Sequence, residues 1–464
     1  MPSQQELMIQ EGQTYKVVIT DLNQEGEGVG RVGNVVVFVS DAIPGDVVLA
    51  RVISLKKSYA QAIIIEIVDP SPARVTPACP AAKQCGGCQL AHMAYTEQLA
   101  WKQKHVQAAM TRIAKLDVPV EPVIGMNQPA AYRNKAEFPV GGTSQQTVLG
   151  FYQKRSHVVV DIEECAIQHP LINSAMNAVK EVVAELQIPP YDYNNHSGVI
   201  RHAVIRVSFS TKTVMIILVT RTAKLPYASE LVSRLTSQLP ELRSVYHNIN
   251  PQMTNMVFGS ELKLLWGEPH LIDHIGNLHF AISPRSFFQV NPMQTKVLYD
   301  VIKHAAALTG TEVVWDLYCG IGTIGLYLAV SAAKVVGVEI VPEAVEDAKI
   351  NAKLNGFDHV QFFTGNAEDM VPRLMGRGLR PDLIVVDPPR KGCDPQLLAT
   401  IAQVRVPRLI YVSCNPATLA RDLAFLTENG YVVELVQPVD MFPHTVHVEC
   451  VVLMSRDSGK NKKN

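Results

Sequence analysis

The spacing of hydrophobic and polar positions changes twice along the chain and divides it into three parts. In residues 9–68, short β-branched runs alternate with glycine and proline, and none has helical spacing. These runs cover residues 17–20, 35–39, 47–53 and 61–67. Several short strands joined by glycine turns are typical of a small closed barrel of the oligonucleotide-binding type. We therefore predict such a β-barrel at the N-terminus.

The second part, residues 69–279, is predicted to be rich in strands. It begins with a proline-containing linker, and an uneven apolar stripe over residues 95–114 then predicts a helix. Later, residues 203–209 and 214–219 are apolar runs that flank a short polar segment, which indicates a hairpin. We treat this part as a separate central domain.

The third part, residues 280–456, alternates apolar strands with helical segments. The strands that we predict here cover residues 313–317, 335–339, 383–387, 409–413, 431–436 and 446–454. Asn291-Pro292 and Asn415-Pro416 each combine a capping residue with a proline at the first helical position. Continuous apolar strands joined by crossover helices predict a mostly parallel, doubly wound α/β sheet of the Rossmann type. The lysine-containing tail, residues 457–464, is predicted to be disordered.

Composition and charge are those of a soluble globular protein, with 47% hydrophobic residues, 18% charged residues and a formal net charge of -1. No apolar run reaches the roughly 20 residues that a membrane span needs, and the polar start differs from a secretory signal. Eight cysteines in 464 residues are too sparse for a secreted disulfide framework. We therefore expect a cytoplasmic protein. The net charge argues weakly against nucleic-acid binding, although basic residues cluster locally, as at Arg133 and Lys135.

Residues 315–325 read W-D-L-Y-C-G-I-G-T-I-G, which predicts a strand, a glycine turn at Gly320 and Gly322, and a helix. Such a turn lets a ligand approach bare backbone, and Glu339 ends the next strand, where a carboxylate binds ribose hydroxyls. The pattern fits a nicotinamide dehydrogenase as well as an S-adenosylmethionine enzyme. A tight turn without a ligand is a third interpretation.

Two further strand ends carry Asp387, in D-P-P-R, and Cys414, in S-C-N-P. Ligands of doubly wound sheets bind outside the carboxyl ends of the strands, so both residues should face the same crevice as Gly320. Cys414 precedes a helix N-terminus, whose dipole favours the nucleophilic thiolate. The alternative is an inert, buried cysteine.

Glu449 interrupts the apolar strand F-P-H-T-V-H-V-E-C-V-V-L and lies either on a solvated face or in a pocket, where burial would raise its pKa. A thiol, a methyl donor and a carboxylate base together fit methylation of uracil at C5. A thiolate that adds to C6 makes C5 nucleophilic, and a base then removes the C5 proton. This chemistry assigns Cys414 as the nucleophile and Glu449 as the base.

These strings and the order of the segments resemble the RNA uracil-5 methyltransferase family over nearly the whole chain, with an N-terminal part similar to a TRAM domain. The resemblance implies that S-adenosylmethionine is bound by Gln289 (in S-F-F-Q-V-N), Tyr318, Glu339 and Asp387. It also places the family's nucleophile and base motifs on Cys414 and Glu449. The chain is most similar to the bacterial 23S ribosomal RNA enzymes, because the tRNA branch typically lacks the barrel and the cysteine cluster. The implied partner is 23S rRNA, bound by a monomer.

Four cysteines form the remaining candidate site, namely Cys79, Cys85, Cys88 and Cys165. The first three follow a C-x5-C-x2-C spacing, and four thiolates hold either zinc or an iron–sulfur cluster. The spacing leaves this choice open, whereas the resemblance implies a [4Fe-4S] cluster, as ribosomal-RNA members carry. We expect the cluster to have a structural or RNA-contacting role in a central iron–sulfur domain.

Three other classes of protein share parts of this pattern. Amino-group methyltransferases acting on adenine or cytosine place an aromatic residue after Pro-Pro, where Arg390 stands here, and have no use for Cys414. A nicotinamide oxidoreductase shares the glycine turn but leaves Cys414 and Glu449 without a role. A non-catalytic RNA-binding iron–sulfur protein would need neither residue.

Overall fold

The computed structural model describes residues 9–456. The first eight residues and the tail predicted to be disordered, residues 457–464, lie outside the described range. Within that range, no helix is both long enough and apolar enough to cross a membrane.

The N-terminal part is a mixed sheet of six strands in the order β1-β5-β6-β4-β3-β2. Its strands are β1 (Thr14–Val18), β2 (Asp21–Leu22), β3 (Gly28–Val32), β4 (Val35–Ser40), β5 (Val47–Leu55) and β6 (Tyr59–Asp69). The Thr20 N–H donates to the Val29 carbonyl at 2.8 Å and brings the two ends of the sheet together. A Cβ on Gly30 would lie 2.3 Å from Val17 Cγ1, so only glycine fits there. The all-β character predicted from the glycine-separated runs is confirmed.

The central part contains a seven-stranded sheet in the order β13-β12-β11-β10-β7-β8-β9. Its elements are α1 (Tyr95–Ala109, continued by one π-helical turn, Met110–Ala114), β7 (Lys135–Gly142), β8 (Thr147–Tyr152), β9 (Val159–Asp161), α2 (Pro170–Glu185), β10 (Ile200–Val207), β11 (Val214–Thr220), α3 (Ala228–Gln238), β12 (Leu242–Ile249) and β13 (Glu261–Gly267). The predicted hairpin is β10–β11, which pair antiparallel. Helices α2 and α3 were not among the predicted elements.

The central sheet is buried on both faces. Ala203 and Ile205 of β10 belong to the hydrophobic core that includes the buried face of α2. Val204, which points to the opposite face because side chains alternate along a strand, packs in a core shared with Leu298 and Ile302 of the C-terminal part. The central sheet therefore contacts the C-terminal part directly.

The C-terminal part is a three-layer α/β structure. It contains β14 (Leu271–Ile275), β15 (Leu278–Ile282), α4 (Pro292–Ala306), β16 (Val313–Leu317), α5 (Thr323–Ala329), β17 (Lys334–Glu339), α6 (Pro342–Leu354), β18 (Val360–Thr364), α7 (Ala367–Gly376), β19 (Leu383–Val386), α8 (Pro395–Val404), β20 (Arg408–Ser413), α9 (Pro416–Glu428), β21 (Tyr431–Val439) and β22 (Glu449–Arg456). The large sheet has the order β18-β17-β16-β19-β20-β22-β21, and β22 runs antiparallel to both of its neighbours. The predicted doubly wound sheet is confirmed, with its last strand reversed.

Side-chain caps begin two helices where the sequence predicts them. Asn291 Oδ1 accepts the N–H of Gln294 at 3.2 Å at the start of α4. Asn415 Oδ1 accepts the N–H of Ala417 at 3.0 Å at the start of α9. These caps satisfy backbone donors that a helix leaves open at its N-terminus, and the second fixes the chain next to Cys414.

Helix α1 packs on the C-terminal part rather than on the central sheet. Val106 and Met110 lie in one hydrophobic core with Leu419 and Leu423 of α9. The sequence predicts this helix but contains no local signal for its packing partner.

Candidate active site

The carboxyl ends of β16, β17, β19 and β20 open into a cavity of about 1020 Å³. This volume is at the upper end of ligand pockets, which span roughly 300–1,000 Å³, so it has room for more than one small group. The cavity is lined by all of the sequence-predicted site residues, namely Gln289, Tyr318, Glu339, Asp387, Cys414, Glu449, Cys79, Cys85, Cys88 and Cys165. The structure therefore brings these residues, which are far apart in sequence, around one space.

The glycine turn and the acid at the end of β17 are joined by hydrogen bonds. The Gly320 N–H donates to Glu339 Oε2 at 3.0 Å, and the Val341 N–H donates to Oε1 at 2.9 Å. Gly322 has a φ of 84°, and a Cβ there would lie 2.7 Å from the Phe362 ring, so the turn requires glycine. The Glu339 carboxylate is thus fixed at the cavity wall.

Asp316, at the end of β16, is a buried carboxyl that the sequence prediction did not assign to the site. Its Oδ2 accepts the Gly325 N–H at 2.7 Å, whereas its Oδ1 is buried without a hydrogen-bond partner. Burial raises the pKa of Asp316 to about 8, because the charged form loses its hydration. In the sequence, the position of Asp316 at a strand end before the glycine turn was the signal that could have identified it as a site residue.

Tyr318 and Gln289 both line the cavity. Tyr318 has a φ of 64°, in the left-handed region that is uncommon for residues other than glycine. Its hydroxyl lies 3.5 Å from the Asp394 N–H, at the limit of a hydrogen bond. Gln289 is buried, and its carbonyl accepts a hydrogen bond from Asn134 Nδ2 at 3.0 Å, which ties this segment to the central part.

Cys414 and Glu449 lie on neighbouring strand ends. Strands β20 and β22 pair antiparallel with Ser413 opposite Cys450, so the next step of the same register brings Cys414 beside Glu449. The spacing of the two residues is therefore set by a backbone ladder rather than by flexible loops. Glu449 is buried, so the solvated-face interpretation of this residue is wrong.

The pKa of Cys414 differs from the sequence-based expectation. Burial, together with the nearby Glu449 and Asp387 carboxyls, raises it to about 11, while the Arg390 guanidinium opposes this rise. The expected stabilisation of the thiolate at the start of α9 is outweighed by these effects. In the resting site, the thiol is therefore protonated at neutral pH.

The two carboxyl groups beside Cys414 both have raised pKa values. Burial raises the pKa of Asp387 to about 7. Burial also raises the pKa of Glu449 well above its ordinary value, and the neighbouring Asp387 acts in the same direction while Arg390 opposes it. Two carboxyls that share a buried site resist ionising together, so this pair retains a proton near neutral pH.

Further residues around the pair were missed by the sequence analysis. Arg390 Nη2 lies 3.2 Å from His447 Nε2, and both residues line the cavity. Burial and the Arg390 charge lower the pKa of His447 to about 4, so the imidazole is neutral and accepts the hydrogen bond. Phe287 also lines the cavity with 68% of its surface exposed. In the sequence, the P-H-T-V-H string before Glu449 could have indicated His447, and the aromatic pair before Gln289 could have indicated Phe287.

The four cysteines form one wall of the cavity. Burial, together with the neighbouring thiols, raises the pKa of Cys88 to about 12 and that of Cys165 to about 11. The Gly87 N–H donates to Cys85 Sγ at 3.4 Å. In residues 9–456, no group of three or more His, Cys, Asp or Glu side chains is arranged to hold a metal ion. The donor types fit a metal centre, whereas their present spacing does not form one.

The doubly wound sheet, the glycine turn with its acid, and the cavity define a nucleotide-cofactor-binding domain of the Rossmann type, joined to a small β-sheet domain. A family model described as tRNA (Uracil-5-)-methyltransferase matches residues 94–457, and a TRAM domain model matches residues 9–65. The chain belongs to the tRNA (uracil-5-)-methyltransferase family and is an S-adenosylmethionine-dependent RNA methyltransferase. The resemblance noted from the sequence is confirmed.

Similar proteins cover nearly the whole chain. An uncharacterized RNA methyltransferase of Halalkalibacterium halodurans is 49% identical over 97% of this chain and 99% of its own. Another, of Clostridium tetani, is 45% identical over 98% of this chain and 99% of its own. The crystal structure of Pyrococcus abyssi tRNA (uracil-54, C5)-methyltransferase with S-adenosyl-L-homocysteine is 27% identical, with a TM-score of 0.76, and covers 95% of this chain and 100% of its own.

Proposed function

We propose that this protein methylates C5 of an unpaired uridine in 23S ribosomal RNA and produces 5-methyluridine and S-adenosylhomocysteine. The observation that carries the proposal is the pairing of β20 with β22, which puts a thiol and a buried carboxyl side by side at the cavity wall. No other reaction considered from the sequence uses both groups. The enzyme acts as a cytoplasmic monomer in this proposal.

In the proposed reaction, the Cys414 sulfur adds to C6 of the uracil. The thiol gives its proton to solvent in this step and regains one from solvent after the sulfur leaves C6, and the Arg390 guanidinium beside the site favours the negative charge of the thiolate. The addition gives an enolate with carbanion character at C5. C5 then attacks the methyl group of the sulfonium, and S-adenosylhomocysteine leaves with the electron pair of the broken C–S bond.

Glu449 completes the proposed reaction as the general base. Its carboxylate removes the C5 proton, the C5–C6 double bond forms again, and the Cys414 sulfur leaves C6. Because burial raises its pKa, an ionised Glu449 binds a proton more strongly than an exposed glutamate would. Asp387 acts beside it as a partner that keeps the pair singly charged.

The donor and the target base divide the cavity in this proposal. Glu339, Tyr318, Gln289 and Asp387 contact S-adenosylmethionine, with the Glu339 carboxylate accepting hydrogen bonds from the ribose hydroxyls. The exposed ring of Phe287 stacks on the uracil. Because C5 and C6 must both reach reactive groups, the uridine enters unpaired or flipped out of a helix.

We also propose that Cys79, Cys85, Cys88 and Cys165 hold a [4Fe-4S] cluster. Each thiolate of such a cluster binds a different iron, so the four sulfurs stay further apart than around one zinc ion. All four thiols line the same cavity, and the choice of an iron–sulfur cluster over zinc rests on the resemblance noted from the sequence. The cluster would shape the RNA-contacting wall. The proposed domains are residues 9–68, 69–279 and 280–456.

Transfer RNA is the second candidate substrate. The Pyrococcus abyssi enzyme is named for tRNA uracil-54 and covers 95% of this chain. A chain of this architecture therefore occurs in a tRNA enzyme, and the barrel alone does not select ribosomal RNA.

The experiment maps 5-methyluridine by mass spectrometry in 23S rRNA and tRNA from cells with and without this protein. We expect one or more 23S uridines to lose the methyl group and to regain it when the wild-type chain is returned, but not with Cys414→Ala. Cys393→Ala, which removes a buried thiol of the same domain that does not line the cavity, is the control and should restore the modification. A change confined to tRNA would make the ribosomal assignment wrong, and unchanged RNA would refute the proposed function.

A further inference from the structure

Four aromatic side chains form a surface cluster on the central sheet, which we call the aromatic platform: Tyr152, His157, Tyr191 and Tyr193. The rings of His157 and Tyr193 stack with centroids 4.0 Å apart and an interplanar angle of 11°. Tyr152 meets His157 edge-on at 5.5 Å, and Tyr191 meets Tyr193 edge-on at 6.4 Å. The proposed reaction uses none of these residues.

Arg201 packs against Tyr191 at one end of the platform. Its guanidinium carbon lies 4.6 Å from the centroid of the Tyr191 ring. The same guanidinium donates hydrogen bonds to the carbonyls of Asn250 at 2.9 Å and Thr254 at 3.0 Å. The Tyr193 hydroxyl lies 3.4 Å from Asn255 Oδ1. Because several segments fix these rings, a ligand that stacks on them would find the surface already formed.

The platform lies on the face of the sheet that also forms a cavity wall. Val140 and Leu149 are opposite each other in β7 and β8 and pack in the core under α2. Glu137 lies an odd number of residues from Val140 in β7, and Tyr152 lies an odd number of residues from Leu149 in β8. Because side chains alternate along a strand, both point to the other face. Glu137 lines the cavity. A chain that leaves the cavity along this face therefore reaches the platform.

The surface around the platform includes exposed apolar side chains. His157 is exposed, and so are Val158 (61%), Met253 (58%) and Met256 (68%). Two neighbouring cations are already paired with carboxylates of the N-terminal barrel, since Lys154 binds Asp41 at 2.7 Å and Arg155 binds Glu27 at 3.0 Å, whereas Arg201 donates to backbone carbonyls. The platform therefore suits a flat ligand with an apolar face better than a phosphate.

We propose that the aromatic platform stacks an unpaired base of the RNA, close in sequence to the uridine that enters the cavity. The inference rests on the proposed function for the location of the target uridine. Unpaired nucleobases are recognised largely by stacking on aromatic side chains, and such contacts tolerate any base because each base has a flat face. The platform thus selects RNA with two accessible nucleotides rather than one.

The first experiment measures binding of a fluorescein-labelled, uridine-containing single-stranded RNA in the Cys414→Ala background, where turnover is blocked. Tyr193→Ala should weaken binding by roughly 5- to 150-fold, the range for one lost stacking contact. Tyr193→Phe keeps the ring and should bind normally. Tyr227→Ala, which removes another exposed tyrosine at the start of α3, is the matched control. Equal affinity of Tyr193→Ala and its parent would overturn the proposal.

The second experiment uses a series of the same RNA with one abasic nucleotide at successive positions. The parent protein should lose affinity at one position near the target uridine, and Tyr193→Ala should show no further loss there. If the wild-type protein forms no Cys414 adduct and no 5-methyluridine, while the Cys414→Ala parent shows this coupling, the proposed reaction is refuted and the platform stands. Adduct formation without any coupling would refute the platform alone.

Discussion

At the scale of single residues, burial controls the chemistry of the cavity. Asp316, Asp387 and Glu449 all have raised pKa values, and burial is the largest cause for each. Such a group of carboxyls is costly to ionise in an empty cavity. S-adenosylmethionine carries a positive sulfonium, so its binding would compensate this negative charge and favour ionisation of the base.

Replacing the proposed base should trap the covalent intermediate. In Glu449→Gln, Cys414 still adds to C6 and the methyl group is still transferred, but the C5 proton is no longer removed efficiently. We expect turnover to fall by about 10²- to 10⁴-fold and a protein–RNA adduct to persist on a denaturing gel. Glu343→Gln, at the exposed start of α6, should behave as the wild type. Normal turnover of Glu449→Gln would assign the base elsewhere.

The pH dependence of stability should report the buried carboxyl of Asp316. Below about pH 4 it is protonated in both the folded and the unfolded chain. As pH rises towards 8, the unfolded chain loses this proton and the folded chain keeps it, because the folded pKa is about 8. The free energy of unfolding should therefore decrease by on the order of 5 kcal/mol as pH rises across this range. Thermal unfolding of the wild type and of Asp316→Asn, both without cofactor, measures this loss of stability across the pH range. If the stability of the two proteins depends on pH in the same way, the prediction is contradicted.

The sequence identified the residue types of the site but not their ionisation. Strand ends and the glycine turn were sufficient to place Glu339, Asp387 and Cys414 at one edge of a sheet. The pKa of Cys414 was predicted from the adjacent helix N-terminus alone. The direction of its pKa shift is set instead by burial and then by Glu449 and Asp387, which come from other strands and become neighbours only in the folded sheet.

At the scale of elements, helix α1 fixes the segment that leads into β22. Lys102 and Asp440 form an ion pair at 2.6 Å with both side chains completely buried. The Tyr95 hydroxyl donates to the second Asp440 oxygen at 2.8 Å, and Lys102 Nζ also donates to the Phe442 carbonyl at 3.1 Å. Because Phe442 lines the cavity, a helix outside the site holds part of its wall.

Breaking this ion pair should cost much more than breaking an exposed one on the same helix. Lys102→Met leaves the Asp440 charge buried and should destabilise folding by about 3–5 kcal/mol. Lys104, whose side chain is 66% exposed, pairs with Asp21 at 3.0 Å. Lys104→Met should cost about 0–1 kcal/mol. Urea unfolding of both variants makes the comparison, and equal losses would contradict the structural role of Lys102.

Helix α2 shows how element prediction from sequence failed. Its buried positions include Ile172, Met176, Val179 and Val183, which recur every three or four residues, as in a helix with one apolar face. The signal was present, but it lay between β-branched runs that dominated the interpretation of this part. For α1, the helix itself was predicted, whereas its packing on α9 depends on contacts between distant segments.

At the scale of the whole molecule, a nearly neutral chain brings basic residues to the cavity. The net charge is -1, yet Arg133, Lys135, Arg390 and Lys391 all line the cavity. We therefore expect weak long-range attraction for RNA, with phosphate contacts concentrated near the site. The sequence showed the clusters, but only the fold shows that they converge.

RNA affinity should consequently depend on salt through these few contacts. Arg133→Gln should weaken binding uniformly across RNA sequences and reduce the slope of log affinity against log salt by about one. Arg405→Gln, at the end of α8, changes the same charge away from the cavity and should leave the slope unchanged. Fluorescence anisotropy titrations at several salt concentrations test both variants. An unchanged slope for Arg133→Gln would remove this residue from the RNA contact.

The three-part organisation was predictable because each part has its own spacing of apolar residues. How the parts contact one another was not, because the ion pairs of Lys154 and Arg155 with the barrel join residues more than 100 positions apart. Surface charges in a sequence do not indicate their partners. These contacts between the parts also position the loop that carries His157.

The aromatic platform and the Cys414–Glu449 pair belong to different sheets. Mutations in the turn at residues 191–197 alter a surface of the central sheet without shifting the β20–β22 ladder. In this proposal, the requirement for a second accessible nucleotide and the bond-making chemistry therefore reside in separate surfaces, which can change independently during evolution. An engineer who wishes to relax that requirement should begin with that turn and keep the ladder as inherited.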